Sequence, residues 1–68
     1  MKEYISQDKA TQWISFVTSF CEDPIGFSNE DWKDWRPRIM RAREEVQNEE
    51  LKRIATSTLK FFDQLYGS

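Results

Sequence analysis

The apolar residues of this chain fall into three stripes, each with the three- and four-residue spacing that is typical of an amphipathic helix. These stripes carry most of the ten Phe, Trp and Tyr residues in a sequence of only 68. Aromatic side chains cover large areas, whereas a domain of this length buries only about 60% of the surface that its unfolded chain exposes. We therefore expect surplus apolar surface that a partner covers.

The first stripe predicts a helix near residues 7–22. Ser6 is a typical N-cap, and Ile5 and Ala10 have the spacing of a hydrophobic staple around it. Pro24 disfavours the helical conformation in the residue before it, which ends the helix. The apolar face consists of Ala10, Trp13, Ile14, Val17, Phe20 and Cys21.

The second stripe predicts a helix over residues 29–47. Ser28 and Asp31 have the spacing of a capping box, flanked by a second staple pair. Pro37 removes one helical hydrogen bond and points outward on the helical wheel, so we expect a kinked helix that stays continuous. The alternative is a short helix at 29–35 followed by a new helix with Pro37 in its first turn.

The third stripe predicts a helix over residues 49–66, with Asn48 as N-cap and Gly67 as C-cap. The step of five residues from Val46 to Leu51 rotates the stripe by roughly 140° if the chain stays helical. Either the chain turns there and folds back, or one long helix presents two diverging apolar faces that another chain covers.

Together these patterns predict an all-α fold in a single helical domain, residues 1–68. The arrangement is a small three-helix bundle, or a helical hairpin with an additional helix, with the middle helix kinked at Pro37. We expect its core to contain Trp13, Val17, Phe20, Trp32, Ile39, Val46, Ile54, Phe62 and Leu65.

The side chains needed for catalysis are scarce. The chain has no His, and its one cysteine, Cys21, lies on the apolar face, where we interpret it as a small core hydrophobe. The acidic residues at 44–50 are typical of a solvated face. We expect no enzymatic activity, no metal and no cofactor.

Composition and charge limit the cellular locations and the classes of partner that we expect. The net charge is −2, and no apolar run approaches the about 18 residues that cross a bilayer. The chain also opens without a signal-peptide pattern, so we expect a cytoplasmic protein with no membrane or small-molecule partner.

The aromatic surplus favours a small helical protein-interaction module that acts as a regulator, inhibitor or accessory subunit. Such a module binds another protein or associates with itself, since Trp and Arg are enriched among interface hot spots. We expect the contacts at the edges of the stripes, at Phe16, Trp35, Arg36, Arg43, Phe61 and Tyr66.

A basic segment supplies the alternative hypothesis, a nucleic-acid-binding regulator. Basic side chains beside aromatic ones are typical of surfaces that contact phosphates and stack bases. The candidate residues are Lys33, Arg36, Arg38, Arg41 and Arg43. Arg38 and Arg41 also have acidic residues four positions away, an arrangement that simply stabilises an exposed helix.

Overall fold

The computed structural model describes residues 5–66, in which three α-helices are joined by short connections. In chain order they are α1 (Gln7–Thr18), α2 (Asn29–Glu45) and α3 (Glu49–Tyr66). Each helix contacts the other two. The prediction of an all-helical chain with three helices is confirmed, while the predicted cap Gly67 lies outside the described residues.

Side-chain oxygens begin each helix where the sequence predicts. The Ser6 hydroxyl accepts a hydrogen bond from a backbone N–H of the first turn of α1 at 3.1 Å. Ser28 and Asp31 form both bonds of the capping box, at 3.1 and 3.2 Å. The Asn48 amide oxygen accepts from two N–H groups at the start of α3, at 2.8 and 3.1 Å. These contacts satisfy N–H groups that have no partner within the helix.

The first helix is shorter than the predicted 7–22. Its α-helical part ends at Thr18, and the chain then tightens into 3-10 turns at Ser19–Cys21 and Pro24–Gly26. The Ser19 hydroxyl donates to the carbonyl oxygen of Phe16 at 2.7 Å, so it competes with the regular helical bonds at this end. Short 3-10 segments commonly close a helix in this way.

The second helix continues through Pro37, whose ring is exposed. The alternative of two shorter helices is therefore wrong. A proline on the solvent side is tolerated there because the carbonyl that loses its partner can bind water instead.

The chain turns between α2 and α3, as one of the two alternatives for this junction required. Val46 leaves the helix in an extended conformation, with ψ of 141°, and is buried. The side chain of Gln7 ties the junction to α1: its Nε2 donates to the carbonyl of Glu45 at 2.7 Å, and its Oε1 accepts from the N–H of Gln47 at 2.9 Å. The third helix thereby folds back on the second.

One hydrophobic core joins all three helices. Five of the predicted members are buried, namely Val17, Trp32, Ile39, Val46 and Phe62. Trp13, Phe20 and Ile54 are partly buried and pack against this core. Three small residues complete it, one from each helix, since Ala10, Ala42 and Ala55 are fully buried.

Leu65 is the one predicted core residue that the structure places outside, with 48% of its surface exposed. The buried side of α3 is centred on Ala55, Leu59 and Phe62, and Leu65 lies to one side of that centre. Tyr66, the last residue of α3, packs against the core instead, and its hydroxyl donates to the carbonyl oxygen of Phe27. The prediction for Leu65 was wrong because no element within residues 5–66 covers that edge of the stripe.

None of the helices within residues 5–66 combines the length and the apolar character that a membrane span requires.

Replacing Phe62 by Ala should unfold a large fraction of the protein. Such core truncations cost about 3–5 kcal/mol, which is about the whole stability that a core of this size supplies. Leu65→Ala on the same helix should change the free energy of unfolding by less than about 1 kcal/mol. Urea denaturation followed by circular dichroism measures both, and equal losses for the two variants would contradict the assigned core.

Candidate functional site

An aromatic surface lies where α1 crosses α2, and it consists of Trp13, Phe16 and Trp35. The Phe16 and Trp35 rings are 5.1 Å apart between centroids, and Trp13 meets Trp35 edge-on at 6.1 Å. Phe16 is 48% exposed, whereas the two indoles are half-buried. The three rings line a shallow cavity of about 340 Å³.

Arg38 gives the aromatic surface a charged edge. Its guanidinium carbon lies 4.9 Å from the centroid of the Trp35 ring and 6.0 Å from that of Trp13. Asp34, one turn earlier in α2, lies 3.6 Å from the same guanidinium. Attraction to the indole faces and to the carboxylate holds the cation against the rings.

A second apolar concavity, the α1–α3 groove, lies between the end of α1 and the middle of α3. It encloses about 440 Å³, and its lining includes Thr18, Cys21, Arg53, Ile54, Thr58 and Phe61. The hydroxyls of Thr18 and Thr58 are hydrogen-bonded to each other at 2.9 Å, which satisfies the buried Thr58. The groove is therefore apolar in character, with one cation among its lining residues.

Cys21 is partly buried at the side of this groove and packs against the core. Burial raises the pKa of its thiol, and the charge of Glu22 acts in the same direction, while a hydrogen bond with Thr58 opposes them. A raised pKa keeps the sulfur protonated and weakly nucleophilic at neutral pH. Within residues 5–66, no group of three or more His, Cys, Asp or Glu side chains could hold a metal ion.

The residues predicted to contact a protein partner fall in different places. Phe16 and Trp35 meet in the aromatic surface, and Phe61 lines the α1–α3 groove. Arg43 is half-buried on α2. The hydroxyl of Tyr66 donates a hydrogen bond to the backbone carbonyl of Phe27, within the fold. Their role in binding stays a prediction for all of them.

Arg36 joins α2 to α3 through Asp63. Its Nε and Nη2 donate to the two carboxylate oxygens at 2.9 and 3.0 Å, and the Trp32 indole N–H donates to Oδ1 at 3.1 Å. The bonds from Arg36, joined by that from Trp32, hold the pKa of Asp63 below its usual value, although partial burial opposes them. Arg36 thus has a structural role within the fold.

The basic segment has much of its charge engaged internally. Three of its five cations lie within 4 Å of a carboxylate, in the pairs Arg36–Asp63, Arg38–Asp34 and Arg41–Glu45. The last two are the predicted pairs between neighbouring turns of α2. Lys33 is exposed, and Arg43 is half-buried.

Sequence patterns missed two features of these surfaces. Asp63 was not predicted as a partner of Arg36, since the two are 27 residues apart and only the folded chain brings them together. Ile25, in the turn before α2, is 94% exposed although it is strongly apolar. An apolar residue beside Pro24 and Gly26 was the only signal for it.

Comparisons with models of known families, with curated proteins and with solved structures find no match for this chain.

Replacing Asp63 by Asn should lower the stability at neutral pH and have less effect in acid. Because the folded-state pKa of Asp63 is lowered, its carboxylate stabilises the fold above the unfolded-state pKa of about 4, and this contribution is lost as the pH falls through the folded-state value. The difference at pH 7 should be at most about 1 kcal/mol, since the side chain is 39% exposed and screened by solvent.

Urea denaturation at pH 7 and pH 3 measures this difference. Asp34→Asn is the matched control, since Asp34 is 67% exposed and its bridge stays within one helix. A difference for Asp63→Asn that is as large at pH 3 as at pH 7 would contradict the assigned ion pair.

Proposed function

We propose that this chain is a cytoplasmic, non-enzymatic protein-interaction module that binds a protein partner through the aromatic surface. The observation that carries the proposal is the exposure of Phe16, at 48%, in direct contact with two other aromatic side chains. A large apolar side chain that stays in water is stabilised when a partner covers it.

The surroundings of Phe16 support this role. Phe20 lies edge-on at 5.2 Å and Trp35 lies at 5.1 Å, so the Phe16 ring packs against two other rings before any partner binds. A side chain that is already ordered loses little conformational entropy on binding. Arg38 supplies a polar edge of the kind that surrounds apolar hot spots.

The predicted bend at Pro37 would bear directly on this surface. Trp35 precedes the proline and Arg38 follows it, so a bend changes how the guanidinium lies over the indole. We propose that this bend sets the shape of the polar edge.

Nucleic-acid binding remains the second candidate, and the observation in its favour is the contact between Arg38 and Trp35. A cation beside an indole is found where single strands bind. The internal ion pairs of Arg36 and Arg41 weigh against it, since they leave less charge for phosphates.

A photoreactive side chain at the centre of the aromatic surface tests the proposed function. Benzoylphenylalanine replaces Phe16 in the source cells, and the same substitution at Ile25, which is 94% exposed, is the control. After irradiation, position 16 should form one dominant protein adduct that position 25 does not form. The absence of such an adduct would contradict the proposal.

Affinity measurements with the captured protein complete the test. Phe16→Ser should weaken binding by about 30-fold, the effect of losing a hot spot of about 2 kcal/mol. Ile25→Ser is the control, since Ile25 is also an exposed apolar residue but lines neither the aromatic surface nor the α1–α3 groove. Equal affinities for wild type and Phe16→Ser would refute the role of this surface. Tight, salt-sensitive binding of single-stranded DNA that Phe16→Ser leaves intact would favour the second candidate instead.

A further inference from the structure

The outer side of α3 carries an apolar row next to a basic row. Ile54, Phe61 and Leu65 are seven and four residues apart, which places them on one stripe of the helix. Arg53 and Lys60 are also seven residues apart, and they follow the solvent side of this stripe. The apolar row extends along about 16 Å of helix, and the row of positive charge runs beside it for about 10 Å.

Ile54 and Phe61 of the apolar row line the α1–α3 groove, and Leu65 lies one turn beyond Phe61 on the same helix. Phe61 is 37% exposed and Leu65 48% exposed, so both present apolar surface to solvent. The opposite wall comes from Thr18 and Cys21. The Thr18 hydroxyl carries no charge, and the Cys21 thiol stays protonated at neutral pH because burial raises its pKa. Among the lining residues the charge comes from Arg53 of α3, whereas Glu22, next to Cys21 in the chain, brings a negative charge close to the thiol.

The basic row is not neutralised within the described part of the chain. Neither Arg53 nor Lys60 forms a salt bridge with any residue between 5 and 66, where the three bridges all involve arginines of α2. Both positive charges remain able to pair with carboxylates brought by another molecule. Such pairs at the edge of an interface decide which partner is accepted.

We propose that the α1–α3 groove binds an acidic amphipathic helix of a protein partner. Its apolar residues, spaced four and seven apart, cover Ile54, Phe61 and Leu65, as in other cases where a helix fills a groove. Its Asp or Glu residues, seven apart, pair with Arg53 and Lys60. A second copy of α3 fits less well, because antiparallel pairing on this stripe brings two basic rows together.

This proposal stands apart from the aromatic surface. The two surfaces share no lining residue, although α1 contributes to both. Variants of one surface therefore serve as controls for the other.

Two designed peptides test the groove. The first is a fluorescein-labelled helical peptide with Leu at positions i, i+4, i+7 and i+11 and Glu at the flanking positions, and the second carries Lys in place of every Glu. Fluorescence anisotropy should show tighter binding of the acidic peptide to the wild-type chain. Arg53→Glu should weaken it about tenfold and strengthen binding of the Lys peptide, whereas Phe61→Ser should weaken both.

Phe16→Ser is the control variant and should bind the acidic peptide as the wild type does, so that failure of this proposal is distinguishable from failure of the proposed function. Alkylation of Cys21 by iodoacetamide gives a second readout, which the acidic peptide should slow because the thiol lines the groove. Unchanged binding by Arg53→Glu and Phe61→Ser, together with unchanged alkylation, would overturn the proposal. Sedimentation showing a dimer that Phe61→Ser dissolves would also overturn it, since the occupant would then be a second copy.

Discussion

The packing of aromatic rings around Phe62 is the contact on which the position of the third helix depends. Its ring is fully buried, with Phe27 and Trp32 each 5.0 Å away and Tyr66 at 6.0 Å. This packing sets how α3 lies against α2 and against the turn that precedes α2. The polar contacts of Asp63 with Arg36 and of Tyr66 with Phe27 join the same elements. In so short a chain, a few aromatic rings supply much of the buried apolar area that more residues supply in a larger core.

Local chemistry made the helices predictable. Caps such as Ser28 and Asn48 act within four residues, so the sequence contains all the information that they require. Burial depends instead on which element covers a given edge, and helical spacing alone cannot say this. Leu65 shows the difference: it continues the stripe of Phe62, yet nothing in the described part of the chain covers it, and it remains 48% exposed. The early end of α1 has a similar origin, because the Ser19 hydroxyl donates to the backbone carbonyl of Phe16, a contact that a helical wheel does not display.

The candidate surfaces were predictable only in part. Helical spacing identified Phe16, Trp35 and Phe61 as residues at the edges of stripes, but it did not show that the first two meet across a helix pair while the third lines a separate groove. Arg36 was expected at an interface, and its bonds to Asp63 require the folded arrangement of two helices. Long-range contacts of this kind leave no periodic signal in the sequence.

The groups that define the helix ends have a consequence for how the molecule responds to its surroundings. Ser6 and Asn48 cap through uncharged oxygens, and within residues 5–66 no residue adopts a positive φ angle to make a turn. Neither cap gains or loses a proton as the acidity changes, and dissolved ions do not screen it as they screen a pair of charges. The capping hydrogen bonds that begin the first and last helices therefore depend little on pH and salt, whereas the capping box of α2 includes the charged carboxylate of Asp31.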